Sequence, residues 1–194
     1  MVGRRTEGST DADDRHLLGR IAAGDRAAFD IFYHAYARRV LAYVRDIVHG
    51  ADLAEEVAGD VMVAVWKSAG RYAGRARVLS WVLGIAHHKT LDALRRRGVA
   101  FAPLDDGMPA DDAADAPGAA LIALEERALL EDALRSLSVE HRAVLQLMYA
   151  FGCSQSEIAE IVACPVATVK TRVFYAKRRL RDQLERMHAA QGLA

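Results

Sequence analysis

Apolar residues recur along this chain at helical spacing, and no alternating strand pattern of useful length can be found. Phe29, Phe32, Tyr36, Val40, Tyr43 and Ile47 mark one face of a long helix, which His49-Gly50 ends. Asp52 is placed to cap a second helix that turns Leu53, Val57, Val61, Ala64 and Val65 inward and leaves Glu55, Glu56 and Asp60 on the opposite side. A third helix is predicted from about Val78 to Arg97, with Trp81, Val82, Ile85, Leu91 and Leu94 as its apolar members. Trp81 is in phase with Ile85, a position more often found in a core than on a binding surface. Helices near Leu121 to Leu137 and Val139 to Tyr149 follow, with Ser138 as a cap. No Asn-Gly or Asp-Gly pair sits between apolar runs to close a hairpin, so the fold class is all-α.

Near the end of the chain the pattern becomes more specific. Ser154 followed three residues later by Glu157 fits a capping box, which starts a helix with Ile158, Ile161 and Val162 on its buried face. Ala163-Cys164 leaves room only for a sharp turn, and Pro165 opens the next helix. That helix buries Val166, Val169, Val173 and Leu180 and turns Thr168, Lys170, Thr171, Arg172, Tyr175 and Arg179 outward. From Pro165 to Arg181 there are six Lys/Arg and no Asp/Glu. The whole reads as a helix-turn-helix whose second helix offers a basic face suited to phosphates and to guanine edges in a major groove.

Between about Val99 and Ala120 no apolar period can be read, and Pro103, Pro109 and Pro117 fall there, which marks a linker over residues 99–120. It separates a module at 12–98 from one at 121–190. The formal net charge of +0 conceals a strong segregation. Lys67 to Arg97 holds eight Lys/Arg against Asp92 alone, while Val99 to Asp132 holds nine acids against Arg127 alone. Two basic modules therefore bracket one acidic stretch.

Other classes of function find little support. No apolar run approaches the roughly 20 residues that span a bilayer, and the first residues lack the apolar segment of a signal peptide, so a cytoplasmic protein without membrane insertion is expected. Cys153 and Cys164 flank the first helix of the motif with no Cys or His cluster beside them, which argues for packing and against a zinc site. His87 and His88 are adjacent on a helix and point about 100° apart, too far to chelate one metal together. There is no Gly-rich phosphate loop, no metal-ligand spacing and no nucleophile motif, so neither an enzyme nor a cofactor is expected.

Taken together, these segments resemble the extracytoplasmic-function branch of the sigma-70 family of bacterial RNA polymerase sigma factors, over about residues 14 to 185. DLAEEVAGDVMVAVWK, from Asp52 to Lys67, is similar to the family's acidic-then-apolar helix of region 2. RVLSWVLGIAHHKTLDALRRR, from Arg77 to Arg97, resembles its F-x-x-W-L-x-x-I-A-R-N-x-x-x-D-x-x-R-R run, with Val78 for Phe and His87-His88 where Arg-Asn is common. The stretch from Leu134 to Arg181 resembles region 4, with Ser138 for Pro and Ala167 for Gly.

The resemblance implies two helical modules that bind core RNA polymerase, through its largest-subunit coiled coil and flap region, and promoter DNA, with an anti-sigma factor as a further partner. Region 4 would read the upstream (-35) element with Lys170 and Arg172 on bases or phosphates, and with Thr168, Thr171, Tyr175, Lys177, Arg178 and Arg179 holding the backbone. Region 2 would open the downstream (-10) element. Trp81, Tyr72, Lys67, Arg71, Arg75, Arg77, His87, His88 and Lys89 supply the aromatic and cationic chemistry for an unpaired strand. Asp52, Leu53, Glu55, Glu56 and Asp60 would dock on the polymerase. A dimeric helix-turn-helix regulator with a helical sensing domain fits the same periodicity and remains the alternative.

Overall fold

The computed structural model describes residues 10–48, 50–99 and 124–190. Among them are eight α-helices and no strand. The chain divides into two compact units, the main division falling after Val99. Except for Val99, the linker expected at 99–120 lies outside the described residues, as does His49.

The first unit contains α1 (Asp11–Ala22), α2 (Arg26–Ile47), α3 (Ala51–Ser68), a 3-10 turn (Ala69–Arg71) and α4 (Val78–Arg96). Periodicity does not announce α1, whose apolar residues are few. A capping box starts it instead: the Asp13 amide donates to Thr10 Oγ1 at 3.3 Å, and the Thr10 amide donates to Asp13 Oδ2 at 2.8 Å. It then buries Leu18 and Ile21 against α2. Helices α2, α3 and α4 pack on one another. Phe32, Tyr36, Val40, Tyr43 and Ile47 are buried as the periodicity predicts, and the rings of Phe32 and Tyr36 stack with centroids 4.2 Å apart. Truncating a ring such as Phe32 to Ala would cost about 3–5 kcal/mol.

Polar groups are sealed into this interior with partners. Tyr36 donates its hydroxyl to Asp14 Oδ2 at 2.6 Å, and burial, followed by the neighbouring carboxylate, pushes the phenol well above its ordinary value. The cap expected at Asp52 is not formed. Gly50, at φ +120°, is the N-cap of α3, and Asp52 lies within the first turn, where its charge faces the positive end of the helix dipole.

The second unit contains α5 (Leu124–Arg135), α6 (Val139–Tyr149), α7 (Gln155–Ile161) and α8 (Val166–Ala190), with α5 and α6 packed on α8. Ser138 caps α6 as expected, accepting from the His141 amide at 3.3 Å. Arg142, buried at 5% exposure, donates to the carbonyls of Arg135 and Leu137, both at 2.9 Å. It thereby satisfies acceptors left over at the end of α5.

Candidate nucleic-acid interface

The helix-turn-helix is built as the sequence implies. The Glu157 amide donates to Ser154 Oγ at 3.3 Å, and the Ser154 amide donates to Glu157 Oε2 at 2.9 Å, closing the capping box that starts α7. The chain then turns through Ala163 at φ +52°, and the Cys164 amide returns to the Ala159 carbonyl at 3.1 Å. The first hydrogen bond of α8 runs from Val169 to the Pro165 carbonyl, so the proline occupies a position whose own missing N–H costs nothing. Val169, Val173 and Ala176 seat α8, and Ile158 is fully buried in α7. Val166, expected inside, is 39% exposed.

This seating decides which side chains face outward. At 3.6 residues per turn, Thr168, Thr171, Tyr175, Arg178 and Arg179 share one stripe of α8. Arg178 and Arg179 are exposed, while Thr168, Thr171 and Tyr175 are half-buried. The Thr171 hydroxyl donates back to the Ala167 carbonyl at 3.1 Å. Lys170, exposed, and Lys177, half-buried, lie on a neighbouring stripe, and the Lys177 ammonium stands 5.6 Å from the centre of the Tyr149 ring. Arg172 lies on the other flank, its guanidinium 3.9 Å from the Cys164 sulfur. Phe174, on the side of Lys170, is 40% exposed, an apolar group that no charge or periodic pattern in the sequence marks as part of this face.

In the first unit the expected residues run from the end of α3 to just past the middle of α4. Lys67, Arg71, Arg75, Arg77 and His88 are exposed, and Tyr72, Trp81 and Lys89 are half-buried. Trp81 is not a core residue. Its ring lies against that of Tyr72, centroids 5.4 Å apart and planes tilted by 59°. The Tyr72 hydroxyl donates to the Ala76 carbonyl at 2.5 Å and so closes the loop between the 3-10 turn and α4. His88 Nδ1 binds its own helix at the Gly84 carbonyl, 2.7 Å away.

His87 must be taken off the interface. It is 4% exposed, and its Nδ1 lies 2.8 Å from the hydroxyl of fully buried Tyr43, so it holds α4 to α2 and cannot reach a base without opening the unit. Leu53 is corrected likewise. At 4% exposure it anchors α3, while Asp52, Glu55, Glu56 and Asp60 stand exposed on the same helix. Two of these acids already have partners: Glu55 meets Arg45 at 2.9 Å and Glu56 meets Arg97 at 4.0 Å. Ile31, Tyr33 and Val63 are exposed apolar residues on α2 and α3. Among the described residues no group of three or more His, Cys, Asp or Glu could hold a metal ion, and no helix is long and apolar enough to cross a membrane.

The Sigma-70 region 2 family model matches residues 32–100, and the Sigma-70 region 4 model matches residues 127–180. The ECF RNA polymerase sigma factor SigK of Mycobacterium ulcerans is 31% identical over 180 residues, which cover 87% of this chain and 92% of that protein. This chain belongs to the sigma-70 family, in its extracytoplasmic-function branch. As a sigma factor it serves promoter-directed initiation by RNA polymerase. The RNA polymerase sigma-H factor of Pseudomonas aeruginosa is 27% identical over 187 residues, 91% of this chain and 96% of that protein. A solved structure of the sigma factor RpoE with the anti-sigma factor NepR from Bartonella quintana shares the fold, at a TM-score of 0.63 with 22% identity, covering 81% of this sigma factor and 96% of that chain.

Proposed function

We propose that the second unit reads the upstream promoter element with α8, while the first unit captures the unpaired strand of the downstream element along the surface from Lys67 to Lys89. The observation that carries this reading is the coincidence of each matched sigma region with a separate helical unit whose cationic and aromatic groups face solvent. In the major groove, Lys170 and Arg172 meet base edges or phosphates from the first turns of α8. Thr168, Thr171, Tyr175, Lys177, Arg178 and Arg179 hold the backbone and set register, since phosphate and sugar contacts supply half to two-thirds of protein–DNA hydrogen bonds.

Opening requires that a base leave the stack, at a cost of a few kcal/mol. Stacking on an aromatic offsets about 1–3 kcal/mol per base, and cations along the strand add to this. Tyr72 and Trp81 supply the aromatic surface, and Lys67, Arg71, Arg75, Arg77, His88 and Lys89, exposed or half-buried on the same stretch of chain, supply the cations. The exposed acids of α3 dock on the largest-subunit coiled coil of the polymerase. The protein performs no bond chemistry of its own and works in the cytoplasm, and an anti-sigma factor, such as the one seen with RpoE of Bartonella quintana, holds it in check until an envelope or stress signal arrives.

Run-off transcription with purified core polymerase over a promoter library tests this reading. Promoter-selective transcripts that depend on the chain are expected. Binding of promoters by the free chain as tightly and selectively as by the holoenzyme would instead favour a dimeric regulator.

A further inference from the structure

The N-terminus of α4 lacks a cap of its own. Arg77 is its N-cap residue and makes no side-chain cap bond, yet the first amides of a helix have no intrahelical partner. The missing acceptor comes from 67 positions away: Asp11, the first residue of α1, receives the Val78 amide on Oδ1 at 2.8 Å. The other oxygen of the same carboxylate receives Arg15 Nε at 2.7 Å. The carboxylate is thus fixed at both ends, and its charge lies at the positive end of the α4 dipole.

Arg15 also faces the loop. A Cβ placed on Gly74, which sits at φ +71°, would come 3.8 Å from Arg15 Nη1. The Arg15 charge acts on the Tyr72 phenol, opposing the upward push of burial. The segment from Tyr72 to Trp81 is therefore tied at three points: hydroxyl to Ala76, ring against Trp81, and the Asp11 carboxylate at Val78.

We infer that Asp11 is a positioning residue for promoter opening: from α1 it caps α4 and, through Arg15, sets the Tyr72–Trp81 surface that receives the unpaired strand. This rests on the strand-capture reading above. Asp11 touches no base. It acts by removing alternative loop conformations before DNA arrives, so the aromatic pair is already arranged when the strand leaves the duplex.

The test uses the full chain with core polymerase and scores permanganate reactivity of unpaired thymines at a promoter. Asp11→Ala should lower open-complex formation roughly five-fold or more, the factor that loss of one ordinary cap corresponds to. Asp11→Asn should restore most of it, because an amide oxygen still caps a helix. In a Trp66→Phe background, Trp81 emission should shift to the red in Asp11→Ala and return in Asp11→Asn, while polymerase binding stays as in the parent. Equal defects in Asp11→Ala and Asp11→Asn, or unchanged opening in Asp11→Ala, would overturn the positioning role. Trp81→Ala serves as the separate control: if it opens promoters normally, the strand-capture reading fails; if it does not and Asp11→Ala does, only the positioning role fails.

Discussion

Tyr43 on α2 and His87 on α4 meet inside the first unit, hydroxyl oxygen to Nδ1 at 2.8 Å, although 44 positions separate them in the chain. A motif comparison places His87 beside His88 on a surface; the fold gives the two residues opposite duties. His87→Ala should destabilise the first unit by about 2–4 kcal/mol, combining a cavity with a lost buried hydrogen bond. His88→Ala, at an exposed position, should change stability by less than about 0.5 kcal/mol and act on strand opening instead. Thermal melting of the two variants beside permanganate footprinting separates them, and a stable, opening-defective His87→Ala would contradict the buried assignment.

Lys170 is exposed near the start of α8 and is the clearer of the two expected groove contacts. Lys170→Ala should weaken binding of the holoenzyme to the upstream element. A base contact would show as about 1–3 kcal/mol of lost discrimination between sequences. A phosphate contact would show as a uniform loss, with the salt dependence reduced by about 0.9 per contact. Titrations at several salt concentrations over matched and mismatched elements distinguish the two, and no change in either would remove Lys170 from the interface.

Ala163 turns the chain between α7 and α8 at φ +52°, a region that costs an L-residue with a Cβ roughly 1–2 kcal/mol. Ala163→Gly should relieve much of this and stabilise the second unit by about 0.5–1 kcal/mol, after the glycine's greater freedom in the unfolded chain is subtracted. Denaturant melts monitored on the second unit would register the gain. A loss would mean that the turn does not hold this conformation in solution.

Acid should weaken the start of α2. Asp25 accepts the Ala28 amide at 3.1 Å and Arg20 at 2.6 Å, and these partners, the amide first, hold its carboxyl below the ordinary value of 3.8. Because the folded value is the lower one, the stabilisation is present in full above that ordinary value and fades as the pH falls through the folded value. Asp25→Ala should therefore melt below the parent at neutral pH, and the gap should close under strong acid. Melting temperatures of both proteins across that range provide the check; a gap that widens on acidification would reverse the sign.

Where helices are long and strongly periodic, as in α2 and α3, the buried face could be read from residues alone. Caps written in adjacent residues, Ser138 and the Ser154–Glu157 pair, were equally legible. Contacts made across the chain were not. Asp11 at α4 and Tyr43 at His87 join helices far apart in sequence, and nothing local marks them. Trp81 shares the phase of core residues yet lies half-buried, and the ring against it is that of Tyr72, from a loop whose course no periodicity describes. Val166 misled for a simpler reason: in the first turn beside Pro165 the helix has not yet met the surface that buries Val169 and Val173. Helix α1 carries few apolar residues, but its Thr10–Asp13 box was a readable start signal.

The carboxylates of Glu55 and Glu56 do not await a partner as bare charges, since Arg45 and Arg97 already stand against them. A cationic surface arriving at α3 must displace those arginines, so docking there is an exchange of ion pairs and releases fewer small counterions than the number of acids on the helix implies. Association through this face should accordingly vary less steeply with ionic strength than a count of its negative charges suggests. The displaced Arg45 and Arg97 are then free to turn toward other acids or phosphates, and occupancy of the α3 surface changes the charge presented by its neighbours on α2 and at the end of α4.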